Sequence, residues 1–283
     1  MIGYSIANLV LDEERVQVDG SLGKWDLWRM KDDYGEKLCA LERGMCANTY
    51  GLINDEVQPE CTDEQTNQAF REVVDMLLLL SFYTGRCVAV SGNLPMSDFI
   101  TISKGDAYIE PRSVLGIGSL NRKYSVHDLF DGGMKALSDR LIKSNLRVLL
   151  AHWISGVTFF CLEDLFLSSC VIMDIVKQTE MKISGRELSY FKGMKAAASR
   201  LGIRELSSSY RDMRNDLVHE GTLSGTNHKK KDKAECSRVV VDVLNWIDQY
   251  VGCELGLPGW PTDLGRWNKT DFIGTPCVSI GLS

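Results

Sequence analysis

Tyr210-Arg211-Asp212-Met213-Arg214-Asn215-Asp216-Leu217-Val218-His219-Glu220-Gly221 is the stretch on which the reading of this chain turns. Tyr210, Met213, Leu217 and Val218 recur at three- and four-residue spacing, which predicts one apolar face of a helix. Gly221 then supplies the residue that most readily takes the left-handed turn ending it. Arg214 falls on that same face. A guanidinium keeps its charge, and an unpaired buried cation is costly, so Arg214 requires a carboxylate, a partner subunit or an anionic ligand. On a straight helix, residues five positions apart point about 140° away from each other. Arg214 and His219 therefore share a face only if the helix unwinds near Glu220-Gly221; otherwise the histidine caps the helix end.

Outward from this stretch the second half of the chain reads as helix. Residues 127–143 and 146–154 form a pair, and residues 157–178 are apolar nearly all round, as expected of the central helix of a bundle. Glu163 and Asp164 interrupt that helix. A carboxylate in such a place is usually paired, and Arg214 is the natural partner, with a solvent-facing salt bridge as the alternative. Ser184-Gly185-Arg186-Glu187 has the pattern of a capping box, followed by Leu188, Phe191, Met194, Ala198 and Leu201 at helical spacing and a stop at Gly202. Past the motif helix lies a run containing Lys229, Lys230, Lys231 and Lys233, a basic loop suited to a phosphate backbone or simply to solvent. Val239, Val240, Val243, Leu244, Ile247 and Val251 mark a final helix that ends near Gly252. From Pro258 the tail is rich in Gly, Pro and Trp without a period, and is expected to lie extended over the surface or a neighbouring subunit.

The first half reads differently. Between Ser5 and Asn54, short runs around Ile6, Val16, Val18, Trp25, Leu27 and Trp28 alternate with Gly20, Gly23 and Gly35 as turns, which predicts strands of an antiparallel sheet. Trp25 and Trp28 have the chemistry to stack bases or to pack on the sheet. Thr62-Asp63-Glu64-Gln65 is a capping-box start for a core helix carrying Phe70, Val73, Val74, Leu77 and Leu78 and stopped at Gly85. Strands are expected again at residues 87–90, 99–102 and 107–109. Gly116-Ile117-Gly118-Ser119 lacks the Lys-Ser/Thr of a phosphate-binding loop and reads as a linker.

The 283 residues suffice for two modest domains, and a 44% hydrophobic, 25% charged composition is that of a globular chain, not a disordered or fibrous one. No apolar run is long enough for a bilayer, and the opening residues carry no basic start with an apolar core, so a cytoplasmic protein without membrane contact is expected. Nine cysteines without a Cys-x-x-Cys pair argue for reduced thiols, and the four histidines show no metal-ligand spacing. A net charge of −6 excludes a surface coated in positive charge. Its distribution is uneven: residues 1–125 carry net −7 and the remainder net +1.

Arg214-Asn215 followed by His219 at a helix end resembles the motif of the HEPN family, in particular its Apea-like branch. Leu162-Glu163-Asp164-Leu165-Phe166 is similar to a pattern in an early helix of the same bundle. The resemblance covers less than half of the chain. With the pattern of elements it gives an α+β expectation: a β-rich amino-terminal domain with one long helix (residues 1–122), an all-α HEPN-type bundle (123–256) and an extended tail (257–283). It implies metal-independent RNA cleavage with no cofactor, by two copies of the motif meeting across a homodimer or higher oligomer formed by the helical domain. Arg214, Asn215 and His219 are the implied catalytic residues. Tyr210, Arg211, Glu163, Asp164, Lys229, Lys230 and Lys231 are expected to bind substrate or support the site. Attack by the ribose 2′-hydroxyl needs a base, an acid and positive charge on the phosphate, which imidazole and guanidinium provide. Family members often act as antiviral or toxin effectors, and a regulatory ligand or partner is expected at the amino-terminal domain. The alternative is a non-catalytic HEPN module that binds RNA or a nucleotide, or assembles a complex.

Overall fold

The structure is a computed structural model that describes residues 1–31, 48–57, 62–93, 124–139, 145–156, 161–229, 232–257 and 267. The strands expected at 99–102 and 107–109, the Gly116–Ser119 linker, Lys230 and Lys231, and the tail apart from Leu257 and Trp267 lie outside these residues. An antiparallel sheet is followed by helices, which is the α+β layout expected. The chain divides into two compact units, Met1–Lys135 and Ala136–Ser283.

In the first unit, strands β1 (Ile2–Ala7), β2 (Arg15–Gly20), β3 (Gly23–Arg29), β4 (Asn48–Asn54) and β5 (Ala89–Asn93) form a sheet in the order β2-β3-β4-β1-β5. β1 pairs antiparallel with both β4 and β5, so every one of its residues is buried, whereas β2 at the edge alternates exposed and buried. Helix α1 (Asp63–Thr84) connects β4 to β5. Thr62 and Gln65 form the reciprocal cap the sequence predicts, and Gly85 ends the helix in the left-handed region at φ 66°.

Glu72 on α1 ties the helix to the β2–β3 turn. Its carboxylate accepts from the Ser21 N–H at 2.7 Å and from the Trp25 indole N–H at 2.8 Å. Trp25 is thus a fully buried packing residue, and Trp28 lies over Gly51, where an added Cβ would collide with its ring. Helix α2 (Val126–Asp139) starts in this unit, with Gly133 against Leu79 and the Tyr83 hydroxyl donating to the Tyr124 carbonyl at 2.7 Å. The division between the units falls inside α2, whereas the change of sequence character places it at residue 122.

In the second unit α4 (Leu162–Ser184) is the hub, packed by α3 (Leu146–Gly156), α5 (Tyr190–Leu201), α6 (Ser208–Glu220) and α7 (Lys233–Glu254). It buries Leu162, Leu165, Phe166, Ile172, Met173 and Val176, each such side chain stabilising by about 1.5–3 kcal/mol. The central helix begins at Leu162, capped by Cys161, and runs past the expected end at Gln178. Ser184-Gly185-Arg186-Glu187 is therefore not a capping box. Ser184 is the last residue of α4, Gly185 is its left-handed stop at φ 66°, and α5 begins only after Ser189.

Two buried carboxylate arrangements lock the bundle. Arg200 on α5 bridges Glu180 of α4 and Glu254 of α7. Asp248 of α7 accepts the indole N–H groups of Trp153 and Trp267, each at 3.0 Å. Asn245 adds a two-point backbone match to Trp267, accepting its N–H at 3.0 Å and donating to its carbonyl at 3.1 Å. Trp267 of the tail is thereby docked on its own chain, 5% exposed.

Candidate functional site

Helix α6 carries the motif. Its Gly221 stop sits at φ 71° and donates its N–H to the Leu217 carbonyl at 3.1 Å. The buried face is Tyr210, Met213 and Asp216, while Val218, expected on that face, is 48% exposed. Tyr210 is fully buried, its ring edge-on to Phe166 at 5.6 Å and to Phe191 at 6.3 Å and stacked on Tyr190 at 6.3 Å. Phe166, from the Leu162–Phe166 pattern, thus does meet the motif helix. Tyr210 is a core residue that supports the motif helix from within.

The hydroxyls beneath the motif form a short chain. Tyr190 donates to the Cys170 carbonyl at 3.1 Å, which leaves Tyr210 to donate to the Tyr190 oxygen. Burial raises both phenols above the ordinary tyrosine value and pushes the Cys170 thiol up to about 11. All three stay neutral near pH 7, so none offers a counter-charge to the arginine beside them.

That arginine is Arg214. Its Cζ lies 4.0 Å from the centroid of the Tyr190 ring, and its Nε is buried without a hydrogen-bond partner. Among the described residues no hydrogen bond or ion pair joins Arg214 to Glu163, Asp164 or any other carboxylate. The expected pairing fails because of where the carboxylates sit. Glu163 lies at the start of α4 beside Cys161 and Cys236, whereas Arg214 meets α4 two turns on, at Cys170. Arg211 is exposed, bonded to its neighbour Asp212 at 3.2 Å and 6.0 Å over the Phe191 ring.

His219 is exposed in the last turn, and α6 is unbroken through Glu220. The unwinding required to bring Arg214 and His219 onto one face is absent. The two residues instead flank, about 140° apart, a solvent-facing stripe whose centre is Arg211, Asn215 and Val218. No hydrogen bond links the Asn215 side chain to His219.

Asp216, to which no sequence pattern points, organises the loop after the motif. Fully buried, it accepts from the N–H groups of Gly225 (2.9 Å), Asn227 (3.0 Å) and His228 (2.6 Å) and from the Asn227 side-chain amide (2.6 Å). Burial acts to raise its pKa, but these donors, led by His228 and Asn227, outweigh it and hold the carboxyl below its ordinary value. The loop is thereby folded back on α6, so closely at Gly225 that a Cβ there would lie 3.0 Å from the Asp216 carboxyl carbon. Lys229 leaves this pinned segment exposed.

Among the described residues no three His, Cys, Asp or Glu side chains converge as a metal site, and no helix is long and apolar enough to cross a membrane. No protein-family model matches the chain, and neither a curated protein nor a solved structure is detectably similar to it.

Proposed function

We propose that this protein is a HEPN-like, metal-independent endoribonuclease of the cytoplasm, cutting RNA at a composite site to which two copies of the chain each contribute Arg214 and His219. The carrying observation is the state of Arg214: a permanent cation with no carboxylate bonded to it among the described residues, oriented by a ring, at one edge of an exposed helical stripe whose other edge is His219. A charge left uncompensated in this way is a receptor for an anion. Exposed Leu167 and Val171 on α4 and Val218 on α6 give the helical unit apolar surface for a second copy, which would bring two histidines to one phosphate.

In the reaction one imidazole takes the proton from the ribose 2′-hydroxyl as its oxygen attacks phosphorus. The other imidazole, protonated, gives its proton to the departing 5′-oxygen, and the Arg214 pair stabilises the five-coordinate phosphate. The products are a 2′,3′-cyclic phosphate and a 5′-hydroxyl. Asn215 contacts phosphate, and Arg211 with Lys229–Lys231 guides the strand. Regulation by the amino-terminal unit and a role in antiviral defence or a toxin system belong to the same proposal.

The test is incubation of purified protein with RNA in EDTA. Wild type should generate cyclic-phosphate ends, and Arg214→Ala and His219→Ala should each lose at least about a hundredfold in rate. Undiminished cleavage by His219→Ala removes the reading. The second reading, a module that binds RNA or a nucleotide without cutting, draws on His219, which no hydrogen bond orients among the described residues. Binding without turnover would favour it.

A further inference from the structure

Tyr190 holds the key cation, and we infer that it is a positioning residue for Arg214, fixing the plane of the guanidinium without neutralising it, for an anionic oxygen that approaches the Nη edge. The inference rests on the function proposed above but on different atoms.

Tyr190 is itself immobilised. Its hydroxyl is held at both ends of the Cys170–Tyr190–Tyr210 chain, and its ring lies between Phe191, edge-on at 5.1 Å, and Tyr210. A ring so fixed offers one flat face, and Arg214 occupies it at 4.0 Å. Stacking orients a guanidinium as a carboxylate would, with one difference: the carboxylate cancels the charge and fills the edge donors, whereas the ring leaves both available.

The disposition of the arginine donors agrees with this. Nε is buried and unbonded, Arg214 as a whole is half-buried, and no hydrogen bond from Nη1 or Nη2 is found among the described residues. Asp174 on α4 lies within electrostatic range of Tyr190 yet forms no ion pair with Arg214. The geometry therefore favours a phosphodiester that meets the guanidinium edge-on, in the plane set by Tyr190.

Two readouts on the full chain test this. In protein labelled with ¹⁵N-arginine, the Nε–H signal lost in Arg214→Ala should be shifted upfield by the Tyr190 ring current. Tyr190→Phe should keep that shift, and Tyr190→Leu should return the signal to the ordinary arginine position. With fluorescein-labelled single-stranded RNA in EDTA, Tyr190→Leu should lower kcat about tenfold with KM changed less than about twofold, and Tyr190→Phe should restore the rate.

In the Arg214→Ala background Tyr190→Leu should cost nothing further, because a residue acting through another has no effect once that partner is gone. An unshifted Nε–H in wild type, full activity of Tyr190→Leu, or losses that multiply in the double variant would each overturn the inference. Should Tyr190→Leu not fold, Arg214→Lys replaces it: an ammonium has no plane to orient, so wild-type activity there would equally overturn it. If wild type cuts no RNA, the proposed activity fails, while the arginine signal alone still decides whether Tyr190 holds Arg214.

Discussion

Two arginines in the helical unit show how one residue type serves opposite ends. Arg200 joins Glu180 and Glu254, both buried, and its loss strands two carboxylates. Arg214 has only a ring and a buried, unbonded Nε. Replacing each with leucine should therefore give different results. Arg200→Leu should destabilise by about 3–5 kcal/mol, the usual consequence of breaking a buried ion pair from one side. For Arg214→Leu, the lost stacking of about 0.5–2 kcal/mol is offset by relief of an unsatisfied buried donor worth about 1–3 kcal/mol, so stability should stay within about 1 kcal/mol of wild type. Urea denaturation followed by circular dichroism measures both. A large loss at Arg214 would make it a structural residue and weaken the functional case; a neutral result is what a residue retained for its charge gives.

At the scale of elements, α6 and its loop form one piece because Asp216 is shared between them. Asp216→Ala leaves the buried His228 N–H and the part-buried Gly225 and Asn227 N–H groups without an acceptor and should cost about 3 kcal/mol. Its folded pKa lies below the unfolded value of about 3.9, so the carboxylate's contribution is fully present above that pH and is lost as pH falls through the folded value. Urea midpoints from pH 6 downward should thus drop more steeply in wild type than in Asp216→Asn below about pH 4; parallel curves would contradict the assignment. Asp216 also marks the limit of sequence reading. The helices of the second unit were legible from apolar spacing and from Gly202 and Gly221, and α1 from Thr62, Gln65 and Gly85, because these signals are local. Ser184-Gly185 misled because a serine before a glycine fits a helix end as well as a helix start, and only the length of α4 decides. Tyr190 and Asp216 were invisible for a further reason: their importance comes from partners on other elements or in a loop, and neither carries a local pattern. Arg214 was legible as a residue needing a partner, but not which partner, since an aromatic face from another helix orients a guanidinium as a carboxylate would and leaves no local pattern.

At the scale of the whole molecule, a single copy of the motif supplies Arg214 and one histidine, His219, that face apart, and general acid and general base must act on opposite sides of a phosphate. The composite site proposed for this chain therefore demands a second copy. Val218 sits in the centre of the stripe between Arg214 and His219, 48% exposed, with Leu167 (48%) and Val171 (41%) exposed on α4. A charge at Val218 would be buried unpaired in a two-fold contact through α6, where each copy meets its own equivalent, but is harmless in an isolated helix facing water. Val218→Asp should leave the melting temperature of the monomer within a few degrees of wild type, weaken self-association in sedimentation velocity by at least about tenfold, and reduce RNA cleavage in proportion to the dimer lost. For wild type, activity per chain should rise with protein concentration and level off where sedimentation shows the dimer complete. Full cleavage by a demonstrably monomeric Val218→Asp would place both halves of the chemistry in one chain and sink the composite site.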